Sequence, residues 1–178
     1  MKSPLSIALS ALLLVAPVAL LARTEAPAPV VLAPTAEQAT TAKLVYGLLS
    51  DSRYAYRPRP ADASMSADIF KRYLEALDPN KQFFTAADIA GFEPARQQMA
   101  EAVRSGDASK PFAIFQVYRQ RVAERVAHAR KLLAREPDFT GDERWEYDRE
   151  DAPWAADSAA LDELWRKSVM NDWLRLKL

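Results

Sequence analysis

The sequence predicts an all-α fold, an irregular bundle of about five helices. Glycine is scarce, with four in 178 residues, which disfavours a turn-rich β architecture. Beyond residue 35 apolar residues recur at three- and four-residue steps, and no segment alternates with a period of two. Apolar residues make up 49% of the chain and charged residues 27%, so the composition fits a globular domain with a core.

The first 22 residues predict a secretory signal peptide. Lys2 supplies a positive start, residues 5–21 are apolar and uncharged, and Arg23 restores polarity after Ala22. We therefore expect export to the periplasm with cleavage near Ala22, the alternative being an uncleaved membrane anchor. Residues 23–34 are rich in Ala, Pro and Val and predict a flexible linker. Residues 35–178 form the predicted helical domain.

Local signals predict the first two helices. Thr35 and Gln38 form a capping box that begins the first helix, and Pro58 and Pro60 mark the loop that follows it. Ser66 is expected to cap the second helix. The first helix has the predicted apolar face Ala39, Ala42, Leu44, Val45, Leu48 and Leu49, and the second has Ile69, Phe70, Tyr73, Leu74 and Leu77.

A turn signal and a second cap pair predict the third helix. Asp78 begins an Asp-Pro-Asn turn, and Thr85 with Asp88 marks a helix start. The helix is expected to reach about residue 103 and to close at Gly106. Pro94 falls inside it, so either the helix bends there or two helices meet.

The longest predicted helix runs from Ser109 to about Arg135 and ends before Pro137. Its predicted apolar face is Phe115, Val122, Val126, Ala129 and Leu133. The opposite face is basic and is formed by Arg121, Arg125, His128, Lys131 and Arg135. A stripe of this kind is usually a solvated face, and the alternatives are contact with an anionic membrane, an acidic partner or a neighbouring domain.

The last predicted helix is capped by Asp157 and follows a polar connection, residues 138–154, that carries aromatic anchors. Its predicted inward stripe is Leu161, Leu164, Trp165, Val169, Trp173 and Leu176. Aromatic side chains are enriched at protein interfaces, and basic side chains meet acidic surfaces. The candidate docking surface is therefore the set Trp165, Trp173, Leu176, Arg121, Arg125, Lys131 and Arg135.

The sequence predicts no catalytic residue, no metal site and no cofactor. Cysteine is absent, and the Ser-Lys neighbours at 109–110 and 167–168 would point about 100° apart on a helix. His128 stands alone, and the acidic stretch 138–151 lacks the ligand spacing of a calcium loop. Acidic and basic residues balance at 24 each, which argues against a nucleic-acid partner.

Several motifs follow one another in an order typical of a known family. They are Tyr73-Leu74, Leu77-Asp78-Pro79, Phe83-Phe84, Asp88, Ser105-Gly106, the helix over 112–125, Asp138-Phe139-Thr140-Gly141, Asp148-Arg149, Ala152-Pro153-Trp154 and Leu164-Trp165. The chain after the linker thereby resembles the N-terminal helical region of bacterial tail-specific proteases, the periplasmic C-terminal-processing serine peptidases.

The resemblance implies a helical domain that packs around a PDZ module and an α/β protease core in a longer enzyme. That enzyme would cleave exported proteins with a Ser-Lys dyad, and an adaptor lipoprotein is a further implied partner. The motifs here stop before the PDZ module and the dyad, so we expect a truncated chain that is inactive alone and serves as scaffold. The alternative is a stand-alone periplasmic binding module.

Overall fold

The computed structural model describes residues 32–178, so the predicted signal peptide and most of the linker lie outside the described residues. Within this range the chain forms six helices, and its single strand-like pairing is a parallel bridge between Thr85 and Ala155. The all-α prediction is therefore confirmed. The helices are α1 (Ala36–Ser50), α2 (Ala63–Leu77), α3 (Ala86–Arg96), α4 (Met99–Ser105), α5 (Ser109–Leu133) and α6 (Ser158–Lys177).

Three helix starts agree with the sequence prediction because capping is decided by near neighbours. The Thr35 hydroxyl accepts the Gln38 N–H at 3.2 Å, and the Gln38 side chain accepts the Thr35 N–H at 2.9 Å. Thr85 makes the same reciprocal box with Asp88 at the start of α3. Asp157 accepts the N–H of residue 160 and begins α6. Each cap satisfies backbone donors that the first helical turn leaves without a partner.

The predicted start of α2 was wrong. Asp62 is the N-cap and accepts the Met65 N–H at 2.8 Å, whereas Ser66 lies inside the helix and is 1% exposed. The Ser66 hydroxyl donates to the Arg96 carbonyl at 2.6 Å and accepts the Ala100 N–H at 3.1 Å. Ser66 therefore ties α2 to the junction of α3 and α4, a long-range role that the local sequence does not reveal.

The segment containing Pro94 is resolved into two helices. α3 contains Pro94 and ends at Arg96, and α4 follows after two residues. Gly106 closes α4 in the left-handed conformation, with φ of 76°. A Cβ at this position would lie 2.7 Å from the Ala39 carbonyl oxygen, so glycine also permits the close packing of α4 against α1.

The core lies where α2, α3, α4 and α5 meet. Its buried members are Phe70, Leu74, Phe84, Phe92, Ala95, Met99 and Ile114. Phe84 is fully buried and meets Phe92 edge to face, with ring centroids 5.2 Å apart. Edge-to-face aromatic pairs add to the stability that comes from burial of apolar area.

The predicted apolar face of α1 is largely turned away from the fold. Leu44, Val45, Leu48 and Leu49 are 44–64% exposed, and α1 contacts α4 on the side of Ala39, which is half-buried. Small side chains allow two helix backbones to approach closely, so α1 packs on α4 through its alanines and leaves its leucines exposed. The predicted face is therefore right for Ala39 and Ala42, which are half-buried, and wrong for the four larger residues, to which hydrophobic periodicity gives the greater weight.

The predicted apolar face of α5 is wrong at two of its five positions. Val126 and Leu133 are 42% and 49% exposed, whereas Ile114 and Arg125 are buried. The inward face is apolar near the start of α5 and is occupied by charged side chains beyond it. Those charged side chains pair with carboxylates on α3 and α6. The periodicity of a single helix gives no information about partners on other helices.

Candidate functional site

Helices α5 and α6 run parallel and side by side. Arg125 of α5 pairs with Asp162 near the start of α6, and Glu136, just beyond α5, pairs with Lys177 at the end of α6. The C-terminal ends of both helices therefore lie at the same end of the domain. A parallel pair needs a long connection, which residues 134–157 provide.

The turn between α2 and α3 is organised by one buried carboxylate. Asp78 is fully buried, and its oxygens accept the N–H groups of Gln82, Phe83 and Phe84 at 2.7, 2.9 and 3.0 Å. Buried N–H groups without partners are costly, so these bonds keep the turn in one conformation. The same α2–α3 turn also provides the surface on which the 134–157 connection is anchored.

That anchor is built around Trp154. Its ring lies 6.0 Å from the Phe84 ring, and the Lys81 ammonium lies 5.2 Å from the Trp154 ring centroid. Lys81 also donates a hydrogen bond to the Glu150 carbonyl, and the N–H of the first residue of α3 donates to the Ala155 carbonyl at 2.8 Å. The prediction of aromatic anchors in this connection is thus confirmed for Trp154.

Arg121, the first residue of the predicted basic face, forms a charged link from α5 to α3. Its guanidinium donates to both Asp88 oxygens at 2.8 and 3.0 Å, and to Glu124 at 2.8 Å. Burial alone would raise the pKa of Asp88, but the hydrogen bonds from Arg121 and Thr85 outweigh it and hold that pKa below its usual value. The hydrogen bonds that Arg121 donates to Asp88 and Glu124 raise its own pKa.

Arg125 and His128 are also turned inward. The Arg125 side chain is 8% exposed and pairs with Asp162, and His128 Nδ1 lies 3.6 Å from the same carboxylate. The expectation that these side chains belong to a solvated basic face is therefore wrong. α6 packs over this side of α5 and brings the compensating carboxylate with it.

The α6 members of the candidate docking surface are distributed differently. The Trp165 indole N–H donates to the Gln82 carbonyl at 2.6 Å, and its ring lies 5.7 Å from that of Phe83. Trp173 is half-buried beneath Lys177, whose ammonium lies 5.9 Å from the indole ring centroid. Leu176 is 89% exposed, so its place on the predicted inward stripe was wrong.

An exposed patch remains at the end of the domain where α5 and α6 both finish. Lys131 and Arg135 are exposed there and have no ion-pair partner within residues 32–178. We call this patch the basic–apolar end; it consists of Lys131, Leu133, Arg135, Trp173, Leu174 and Leu176. Of the seven predicted docking residues, it keeps Lys131, Arg135, Trp173 and Leu176.

A cleft that the sequence did not suggest lies beside this end. It has a volume of about 470 Å³ and separates the loop over residues 138–145 from α6. The aromatic residues Phe139 and Trp145 of that loop line the cleft, as do Met170 and Leu174 of α6. The available signal was the presence of two large aromatic side chains in an otherwise polar connection.

The remaining chemical candidates are dispersed. Ser109 and Lys110 occupy the first turn of α5, and Lys167 lies 3.9 Å from Glu163 on α6. Within residues 32–178 no group of three or more His, Cys, Asp or Glu side chains is arranged to hold a metal ion. In the same range no helix combines the length and the apolar character needed to cross a membrane.

Two comparisons with known proteins agree with each other. Residues 48–178 match the family model described as the tail specific protease N-terminal domain. The chain is 37% identical over 127 residues to the "Tail-specific protease" of Haemophilus influenzae, an alignment covering 69% of this chain and 18% of the relative. The chain thus aligns with only a small part of that curated relative. We conclude that the chain belongs to the tail-specific protease family, whose N-terminal domain it carries.

Proposed function

We propose that residues 35–178 act as the N-terminal scaffold of a periplasmic tail-specific serine protease. In this role the domain positions the PDZ and protease domains and offers helical surface to exported protein substrates or an adaptor lipoprotein. It hydrolyses no peptide bond by itself. The apolar residues 5–21 after Lys2 support export, because they fit a secretory signal.

The observation that carries the scaffold role is the basic–apolar end. Leu133, Leu174 and Leu176 are 49%, 41% and 89% exposed beside Lys131 and Arg135. Exposed apolar side chains at the same end of a domain as unpaired cations are a feature that a contact site with another protein would have, and the C-terminal ends of two helices add negative dipole ends that favour these cations. A neighbouring domain with an apolar, acidic face is the contact that this surface fits.

The necessity of the domain is tested in the Haemophilus influenzae relative. Deletion of the region that matches residues 48–178 is expected to abolish hydrolysis of an unfolded exported protein, and insertion of residues 48–178 of this chain is expected to restore it. This chain alone is expected to show no hydrolysis. Full activity of the deleted protein, or hydrolysis by this chain alone, would contradict the proposal.

A stand-alone binding module is the second candidate, and Trp165 favours it. The indole is bonded to Gln82 and packed on Phe83 within this chain, so the last helix needs no further domain to place it. The deletion experiment separates the two functions. A relative that stays fully active without the region would favour the independent module.

A further inference from the structure

The cleft between the 138–145 loop and α6 has the features of a binding site. Its apolar lining, which we call the floor, is formed by Phe139, Trp145, Met170 and Leu174. Phe139 is 38% and Leu174 41% exposed, so these side chains still have surface to bury. Each square ångström of apolar surface removed from water contributes about 25 cal/mol, and the floor therefore favours a ligand with apolar side chains.

The charged residues that line the cleft are three cations, Arg144, Arg166 and Lys167, and two carboxylates, Glu143 and Asp138, of which Asp138 accepts the Thr140 N–H. Arg166 is matched, because it donates to Glu143 at 2.7 Å and to Glu163 at 2.7 and 2.8 Å. Lys167 is held only loosely, 3.9 Å from Glu163, and Arg144 has no ion-pair partner within residues 32–178. Arg144 and Lys167 are therefore able to receive a carboxylate from a ligand.

The backbone of the loop is open as well. Within the described part of the chain, no backbone–backbone hydrogen bond involves residues 136–148, and the Thr140 N–H is bonded to the Asp138 side chain. Backbone N–H and C=O groups that lack a backbone partner are available for hydrogen bonds to a bound ligand. A peptide backbone carries both donors and acceptors along its length, whereas the carboxylate of an organic acid or the phosphate of a lipid only accepts.

We propose that this cleft binds an extended peptide segment in which apolar side chains alternate with acidic ones. The apolar side chains pack on the Phe139–Trp145–Met170–Leu174 floor, and the acidic side chains face Arg144 and Lys167. The proposal deepens the substrate-contacting part of the proposed function and rests on it for its biological meaning. The binding itself is a property of this chain and is measured without the protease.

The test uses the full 178-residue chain, labelled with ¹⁵N on its tryptophans, and the end-blocked peptide acetyl-Leu-Glu-Leu-Glu-Leu-amide. The chain has four tryptophans, and the Trp145 indole signal is expected to shift on titration while that of Trp154, packed on Phe84, stays in place. Peptides with Ser for Leu, or with Lys for Glu, are expected to bind at least about tenfold more weakly, because they remove the apolar contacts or the charge attraction.

Charge reversal provides the decisive arm. The double variant Arg144→Glu with Lys167→Glu is expected to lose about tenfold in affinity for the Glu peptide and to gain affinity for the Lys peptide. Lys110→Glu makes the same type of charge change at the far end of α5 and is expected to leave both affinities unchanged. A merely misfolded variant would lose both peptides, so the exchange of preference reports the cleft itself.

Equal binding of the Glu and Lys peptides, or an unchanged preference in the double variant, would overturn the proposal. A titration that moves the Trp154 signal and leaves that of Trp145 unshifted would do the same. Neither result would touch the scaffold role, which depends on the deletion experiment in the relative. If the deletion protein is inactive and no peptide binds to this chain, the proposed scaffold role stands and only the proposed binding role of the cleft is refuted.

Discussion

Replacement of Asp78 is expected to cause a large loss of stability. The carboxylate is fully buried and accepts three backbone N–H groups, at 2.7, 2.9 and 3.0 Å. Asp78→Ala leaves all three donors without their partner, and each buried unpaired N–H costs about 1–3 kcal/mol. The N–H groups of Gln82 and Phe83 are partly within reach of water, so we expect a total near the lower end, about 3–5 kcal/mol.

Asp78→Asn separates hydrogen bonding from packing. The amide keeps the shape of the carboxylate and retains one oxygen, which is able to serve Phe83 and Phe84 as the present Oδ2 does. Its NH₂ group then faces the Gln82 N–H, so one donor loses its acceptor, at a cost of about 1–3 kcal/mol. The expected order of stability is therefore wild type, then Asn, then Ala.

Urea unfolding followed by circular dichroism measures these differences. With an m value of about 1–3 kcal/mol per molar, Asp78→Ala is expected to lower the midpoint by more than about 1 M. Asp68→Asn is the matched control, since Asp68 lies on α2, is 53% exposed and pairs only with Arg59 at 2.8 Å. That change is expected to cost less than about 1 kcal/mol. If Asp78→Ala unfolded at the midpoint of Asp68→Asn, the reasoning from buried donors would be refuted.

Three other predictions follow from the same contacts. The pKa of Asp88 is lower in the folded protein than in the unfolded chain, so its stabilising contribution is present above about pH 4 and is lost as the pH falls through the folded-state pKa. Asp88→Asn is therefore expected to flatten the acidic part of a plot of urea midpoint against pH. An unchanged slope would contradict this assignment. Gly106→Ala is expected to lower the free energy of unfolding by at least about 1–2 kcal/mol, because its φ is positive and the new Cβ meets a carbonyl of α1. It is also expected to speed hydrogen exchange in α1. Gly47→Ala, where the Cβ enters open space, is expected to raise the free energy of unfolding by about 0.5–1 kcal/mol. Trp165→Phe is expected to lower stability by about 1–3 kcal/mol, since a carbonyl before α3 loses its donor, and a comparable loss for Trp173→Phe would count against that explanation.

The helix ends were largely predictable, and the physical reason is that caps act over a few residues. Thr35, Thr85 and Asp157 begin helices as expected, because each side chain accepts the N–H three positions ahead. Gly106 ends α4 because its left-handed conformation suits glycine. Ser66 was assigned wrongly because Asp62, four residues earlier, supplies an equally good cap and Ser66 is used elsewhere.

The faces of the helices were harder to predict than their ends. On α5 the periodic pattern pointed to Val126 and Leu133, although the inward positions hold Arg121 and Arg125. A hydropathy pattern assumes that charged side chains are solvated. That assumption fails where a carboxylate on another helix pairs with the charged group and allows its burial. Such a partner is separated by more than thirty positions in the sequence, so it becomes visible only in the fold.

The docking hypothesis is sharpened by the same distinction between cations with and without partners. Arg121 donates hydrogen bonds to Asp88 and Glu124, and Arg125 pairs with Asp162. Binding of another molecule through either arginine would first require these internal ion pairs to break. Lys131 lies in the last turn of α5 and Arg135 lies two residues beyond its end, and no carboxylate within the described residues pairs with either of them. A partner that is drawn to this domain by charge is therefore expected to approach the basic–apolar end. Charge reversal at positions 131 and 135 should weaken that contact, whereas reversal at 121 or 125 should first unfold the helix pair that builds it.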